Sequence, residues 1–204
     1  MKKINKIVIT ILCFFISIAW FGETDIESYM PLKEGSIWEY EALNFKNDNV
    51  TRKSRLTVIN MSPRDFDGEN VIPVKYVWKV KEIGDPTSNT FYFYFFVKTN
   101  NSIYSIAKQM EKDIEPKKLN TPLTYLKNPI KKDNKWKDVN AESTIEGIED
   151  TVTVPAGSFK CVRVKQSLDN GDIITVWYAK DIGRIKQLYQ SKENLLIQLL
   201  EYKK

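Results

Sequence analysis

From Ser36 onward the chain alternates apolar and polar side chains with a period of two, the pattern of strands that have one dry and one wet face. Between Ser36 and Phe45, Trp38, Tyr40 and Ala42 share one face, while Ile37, Glu39 and Glu41 share the other. Val50 to Met61 forms a second strand, with Lys53, Arg55 and Thr57 on one side. The alternation is clearest where Val74, Tyr76, Trp78 and Val80 oppose Lys75, Val77, Lys79 and Lys81. Phe91 to Val97 then runs through seven consecutive aromatic or β-branched residues, which predicts a central strand covered on both faces.

A short strand from Ile103 to Ile106 leads into Lys108 to Lys137, which lacks periodicity and holds Pro116, Pro122 and Pro129. This stretch reads as a long excursion with one helical turn near Gln109 to Asp113. Strands resume at Ala141. In Phe159 to Ser167, Val162, Val164 and Gln166 oppose Arg163 and Lys165. Asn170-Gly171 then predicts a type I′ hairpin turn into Ile173 to Ala179, because both central residues of that turn need positive φ. A further turn at Lys180 to Gly183, then Arg184 to Gln190 and Leu195 to Tyr202, completes a meander of nine to eleven strands. The predicted fold is mainly β, with few helices: a large curved antiparallel sheet or half-barrel with meander connections, since twist accumulates across a sheet this wide.

The N-terminus follows another rule. Lys2, Lys3 and Lys6 precede an uncharged apolar run from Ile7 to Phe21, about 15 residues long and shorter than the roughly 20 a spanning helix needs. Residues 1–22 therefore read as a signal peptide and 23–204 as a single antiparallel β domain. Ser17-Ile18-Ala19 offers small residues for cleavage, whereas a cut after Gly22 places Trp20 badly, so an uncleaved N-terminal tether stays open as the alternative. Export, to the periplasm or the extracellular space, changes the charge. The 31 basic residues fall to 28 against 26 acidic, which gives no reason to expect nucleic acid as a partner. Cys13 leaves with the signal, and Cys161, within an apolar strand pattern, remains as a buried small hydrophobe.

The chain contains no histidine, which removes the usual neutral-pH base and the commonest metal ligand. With no G-x-S-x-G, Walker or G-x-G-x-x-G pattern, the sequence implies no catalytic residues, no metal and no cofactor. Glu142, Glu146, Glu149 and Asp150 cluster near one strand end. They read as a solvated hairpin, with carboxylate-based action on a polysaccharide as the residual enzymatic option. Lys127 to Lys137, five lysines around Trp136, reads as a solvated loop that offers a protein or anionic surface contact. The aromatic strand residues carry more. Trp38, Tyr40, Tyr76, Trp78, Phe93 and Phe95 are the candidate ligand-binding residues, because on a curved sheet such a face can line an apolar cavity for a lipid or other hydrophobic small molecule. The same residues filling an ordinary core give an identical pattern in one dimension.

Two stretches carry a family likeness. Tyr29-Met30-Pro31-Leu32-Lys33-Glu34-Gly35-Ser36-Ile37-Trp38-Glu39-Tyr40 resembles the opening Y-x-P-L-x-x-G-x-x-W-x-Y of a diffuse family of exported bacterial β-rich proteins of unknown function. Val152 to Phe159 and Trp177 to Gly183 resemble its V-x-V-P-A-G-x-F and W-Y-A-x-x-[VI]-G segments. The resemblance implies a secreted or lipid-anchored β protein, with similarity in some members to half-barrel carriers of lipoproteins. It carries no catalytic residue across. Here the lipobox is missing. The expectation is an exported, non-enzymatic cell-envelope protein that binds a hydrophobic ligand or an envelope partner, or else a surface or assembly module that acts through protein contacts.

Overall fold

The structure is a computed structural model that describes residues 26–80 and 88–203. The signal segment expected over residues 1–22 lies outside the described residues. One helical turn, α1 (Ile26–Tyr29), precedes thirteen strands. The first half holds β1 (Ile37–Lys46), β2 (Asn49–Asn60), β3 (Arg64–Phe66), β4 (Glu69–Val80), β5 (Ser88–Lys98), β6 (Ser102–Met110) and β7 (Lys117–Lys127). The second half holds β8 (Lys135–Asp138), β9 (Ala141–Val154), β10 (Gly157–Leu168), β11 (Ile173–Ala179), β12 (Gly183–Gln190) and β13 (Asn194–Lys203).

Neighbouring strands follow the order β7-β6-β5-β4-β2-β1-β13-β12-β11-β10-β9-β8, all antiparallel, with β3 attached only to β4. Each half is a meander, and the halves join where β1 pairs β13 from Ile37↔Lys203 to Phe45↔Asn194. The result is a nearly closed barrel-like antiparallel sheet with almost no helix. The two ends of the path, β7 and β8, meet without a backbone ladder. Asp138 spans this seam: its carboxylate accepts hydrogen bonds from Thr124 N at 3.0 Å and from Thr124 Oγ1 at 3.0 Å. Trp136 Nε1 donates across it to the Thr124 carbonyl at 3.4 Å.

Turn chemistry follows local sequence with two differences from expectation. Asn47 and Asp48 both take positive φ (49° and 61°) between β1 and β2, as a type I′ turn requires. At Asn170-Gly171 only the glycine does, at 87°, so the β10–β11 loop is not type I′. Gly171 N instead bonds the Leu168 carbonyl at 2.9 Å, and the Asn170 amide is held by Asp172 at 2.9 Å, which lets Asn170 keep the ordinary negative φ. The second difference is larger. The stretch read as an excursion over Lys108 to Lys137 contains the end of β6, all of β7 and part of β8, and no helical turn near Gln109 to Asp113. Pro122 is accommodated because the ladder to β6 is interrupted between Leu123 and Lys118, so Leu119 to Pro122 stand out of register, while Pro116 and Pro129 lie just outside β7.

The segment before β1 closes one end of the barrel. Ile26 and Leu32 are buried in the main core. Asn60 Nδ2 donates to the Pro31 and Lys33 carbonyls, both at 3.1 Å, and Asp181 N donates to the Ser28 carbonyl at 2.5 Å. Gly183, at φ +95°, is where the chain can approach: a Cβ there would stand 3.3 Å from Pro31 Cδ. Trp38 Nε1 reaches across to the Ile182 carbonyl at 2.7 Å. The Tyr29 to Tyr40 and Trp177 to Gly183 stretches thus meet at this end of the barrel.

The strands have two apolar faces. The inner one forms the main core, with Ala42, Leu56, Val58, Phe96, Ile145 and Val162 among its buried residues. A smaller outer cluster of Val71, Phe95, Val97, Ile106 and Ala107 lies beneath β3, whose Phe66 stacks on Phe95 at 5.7 Å. This is why β5 reads as an unbroken apolar run: it is covered from both sides.

Candidate functional site

Inside the barrel lies a cavity of about 650 Å³. That is within the roughly 300–1,000 Å³ typical of small-molecule sites. Its wall is built by strand register. Val58 pairs with Tyr76, Tyr76 with Tyr92, and Val74 with Tyr94, so these side chains share the concave face of β2, β4 and β5. Val164, Val176 and Tyr178 face them from β10 and β11. Met30, Pro31 and Leu32 form the closed end. At the other end Asn120, Pro122, Leu123, Val139 and Asn140 border the cavity and are exposed, which places its opening beside the β7–β8 seam.

Six tyrosines line this space: Tyr40, Tyr76, Tyr92, Tyr94, Tyr125 and Tyr178. Tyr76 stacks on Tyr92 at 5.0 Å and meets Tyr94 edge-on at 5.9 Å. Burial pushes the phenol pKa of each up, furthest for Tyr76, Tyr125 and Tyr178, so all six are neutral at physiological pH. The Tyr40 hydroxyl donates to the Arg184 carbonyl at 2.8 Å, and the Arg184 guanidinium lies 4.8 Å from the centre of the Tyr40 ring. Arg184 Nη1 donates to Gln187 Oε1 at 2.7 Å.

Of the six residues expected to bind ligand, Trp38, Tyr40 and Tyr76 line the cavity and Trp78, Phe93 and Phe95 do not. Trp78 shares the inner face but sits further along β4, where its Nε1 lies 3.4 Å from the Tyr92 hydroxyl. Phe93 and Phe95 point to the outer face, because the pairing that turns Tyr92 and Tyr94 inward turns their neighbours outward. Phe95 is fully buried there, with Arg64 4.7 Å above its ring, and Phe93 packs against the same cluster. Sequence reading missed Tyr92, Tyr94, Tyr125 and Arg184 as lining residues. The cross-strand register would have found the first two. Arg184 is hidden by a bulge that shifts pairing between Trp177 and Tyr178.

The other polar clusters lie away from the cavity. Asp150 pairs with Arg163 at 3.1 Å, and Glu146 lies 3.7 Å from Arg163 and 3.6 Å from Lys165. Glu142 and Glu149 are exposed. Trp136, within the lysine-rich stretch, is buried in the main core rather than in a loop. Burial, with Asp150 nearby, lifts the Cys161 thiol to about 11, which leaves it protonated and unreactive near neutral pH. Among the described residues no group of three or more His, Cys, Asp or Glu is placed to hold a metal ion.

No family model and no curated protein matches the chain by sequence. Solved structures match by fold. A candidate lipoprotein of Parabacteroides distasonis is 14% identical with a TM-score of 0.51, over 86% of this chain and 98% of its own. A candidate exported protein of Bacteroides fragilis with a YmcC-like fold is 14% identical with a TM-score of 0.47, over 84% of this chain and 97% of its own. A DUF1329 family protein from Desulfovibrio piger is 10% identical with a TM-score of 0.25, over 82% and 84%. The chain shares the barrel fold of the first, and at that identity the likeness speaks of fold alone.

Proposed function

We propose that this protein is an exported, non-enzymatic β protein of the cell envelope that holds a hydrophobic ligand inside its barrel. Residues 1–22 serve as its signal segment and 23–204 as the working domain. The observation that carries the reading is the cavity. A sheet of this size that merely packed a core would fill its concave face, whereas here six tyrosines and a row of valines border about 650 Å³ of space that opens to solvent at the seam. The similarity to a candidate lipoprotein's fold is compatible with an envelope location.

The test uses a neutral, polarity-sensitive dye such as Nile red with the purified mature protein. Dye fluorescence should rise saturably with one site per chain. Val176→Trp, which places an indole where the cavity wall now carries a small side chain, should reduce that binding at least tenfold while the fold is retained. Saturable binding unchanged by Val176→Trp would place the dye elsewhere and remove the support for an internal site.

A further inference from the structure

The cavity holds one cation that the fold does not neutralise. Arg184 lies on the cavity wall, level with Tyr178 in the β11–β12 pairing. Part of its surface faces the cavity void, and none of its nitrogens lies within 4.0 Å of a carboxylate of the described residues. The other charged residue on the lining, Asp138, is at the rim and is engaged by Thr124. Guanidinium stays charged at any physiological pH and carries five donors in a planar fork. Gln187 takes one of them, and the Tyr40 ring lies against the same group. The tyrosines around it cannot supply a counter-charge near neutral pH, because their phenols hold their protons. A cation desolvated without a counter-ion is costly to fold around, and residues of this kind persist where a charge is brought to them.

The neighbouring phenols add to the pattern. The hydroxyls of Tyr76, Tyr94 and Tyr178 line the same space and make no hydrogen bond to another described residue. Tyr178 stands opposite Arg184 in the β11–β12 pairing and Tyr76 lines the same cavity, and the Arg184 charge opposes the effect of burial on the pKa of both phenols. A planar cation and unengaged O–H donors on the wall of one chamber, with valines and aromatic faces beside them, are complementary to an anion with an apolar tail.

We propose that Arg184, with the hydroxyls of Tyr76 and Tyr178, binds the acidic head of an amphiphilic ligand, a carboxylate or phosphate, while its hydrocarbon chain runs along the tyrosine and valine wall toward the opening at Leu123 and Val139. This deepens the reading of the cavity as a ligand site and rests on it. A wholly apolar ligand would leave the guanidinium in the cavity as unmatched as it is now.

The experiment is isothermal titration of the delipidated mature protein with three probes of one chain length: hexadecanoate, hexadecyl phosphate and hexadecanol. At least one acid should bind ten or more times tighter than the alcohol, and the tighter of the two acids distinguishes a carboxylate from a phosphate head. Arg184→Met keeps the length of the side chain and removes the charge. It should abolish the preference by weakening the acid at least tenfold while leaving hexadecanol within about twofold. Both acids binding within threefold of the alcohol in the unaltered protein would overturn the inference and leave the cavity reading standing. None of the three binding would overturn both. The comparison of probes on the unaltered chain needs no variant, so it holds even if Arg184→Met fails to fold.

Discussion

Removing the Asp138 carboxylate should open the barrel at the β7–β8 seam, where the ends of the strand path meet without a ladder. Asp138→Ala deletes two hydrogen bonds, from Thr124 N and Thr124 Oγ1, and leaves the Thr124 amide without its acceptor. Hydrogen bonds to a charged group are worth about 1.5–3 kcal/mol each. Both are partly solvent-exposed and share one carboxylate, so the joint loss is set at about 1.5–3 kcal/mol rather than twice that. For a domain of this size that lowers the melting temperature by about 3–12 °C. Hydrogen exchange at the Thr124 amide should accelerate more than at Ile103 and Leu126, which keep their β6–β7 ladder. Asp138→Asn retains one acceptor oxygen and should lie between the two. A melting temperature unchanged within about 1 °C together with unaltered exchange at Thr124 would mean that the seam is held by something other than Asp138, and the reasoning about barrel closure would fail.

Two further outcomes follow from the closed end and from the tyrosines. Gly183→Ala forces an L-residue to φ +95° and sets its Cβ against Pro31, so it should cost about 1–3 kcal/mol; Gly35→Ala, at φ +79° with nothing within 4 Å, should cost less, and thermal melts of the pair isolate the contact with the plug. Burial raises the phenol pKa of Tyr76, Tyr125 and Tyr178 above the ordinary 10.0, so the folded state binds their protons more tightly than the unfolded state does. Their contribution to stability is therefore complete below about pH 10 and is lost as pH rises above it, and denaturant midpoints should fall between about pH 9 and about pH 11. A midpoint that rose over that interval would contradict the burial of these phenols.

The architecture was legible because alternation with period two survives in almost every strand. Trp38-Tyr40-Ala42 and Val74-Tyr76-Trp78 announce their faces directly, and all three strands after Gly171 stand where the pattern put them. The pattern failed over Lys108 to Lys137. There β7 is an edge strand with a break at Leu119 to Pro122, and half of its positions are exposed, so alternation is lost to the eye although the strand forms. The closure of β1 on β13 could not be read at all, since a pairing between chain ends leaves no local trace.

The site was half legible for a related reason. Phe91 to Val97 is aromatic on both faces, so composition alone cannot say whether Tyr92 and Tyr94 or Phe93 and Phe95 turn inward. The hydroxyl is the clue in retrospect: Tyr92 and Tyr94 carry one and face a space where it can be used, while Phe95 is buried in the outer cluster with Phe93 packed against it. Tyr178 and Arg184 were visible as a strand aromatic and a strand cation. Only the bulge between Trp177 and Tyr178 brings them level on the cavity wall.

The central claim is that the barrel is hollow in order to be occupied. Native mass spectrometry of the full-length protein, expressed in and purified under mild conditions from the envelope of its own source, tests it most directly. The account predicts a mature chain carrying one non-covalent adduct that leaves on activation and is recovered as an acidic amphiphile. A chain that flies at its bare polypeptide mass, and that takes up no added hexadecanoate, hexadecyl phosphate or hexadecanol, would contradict it.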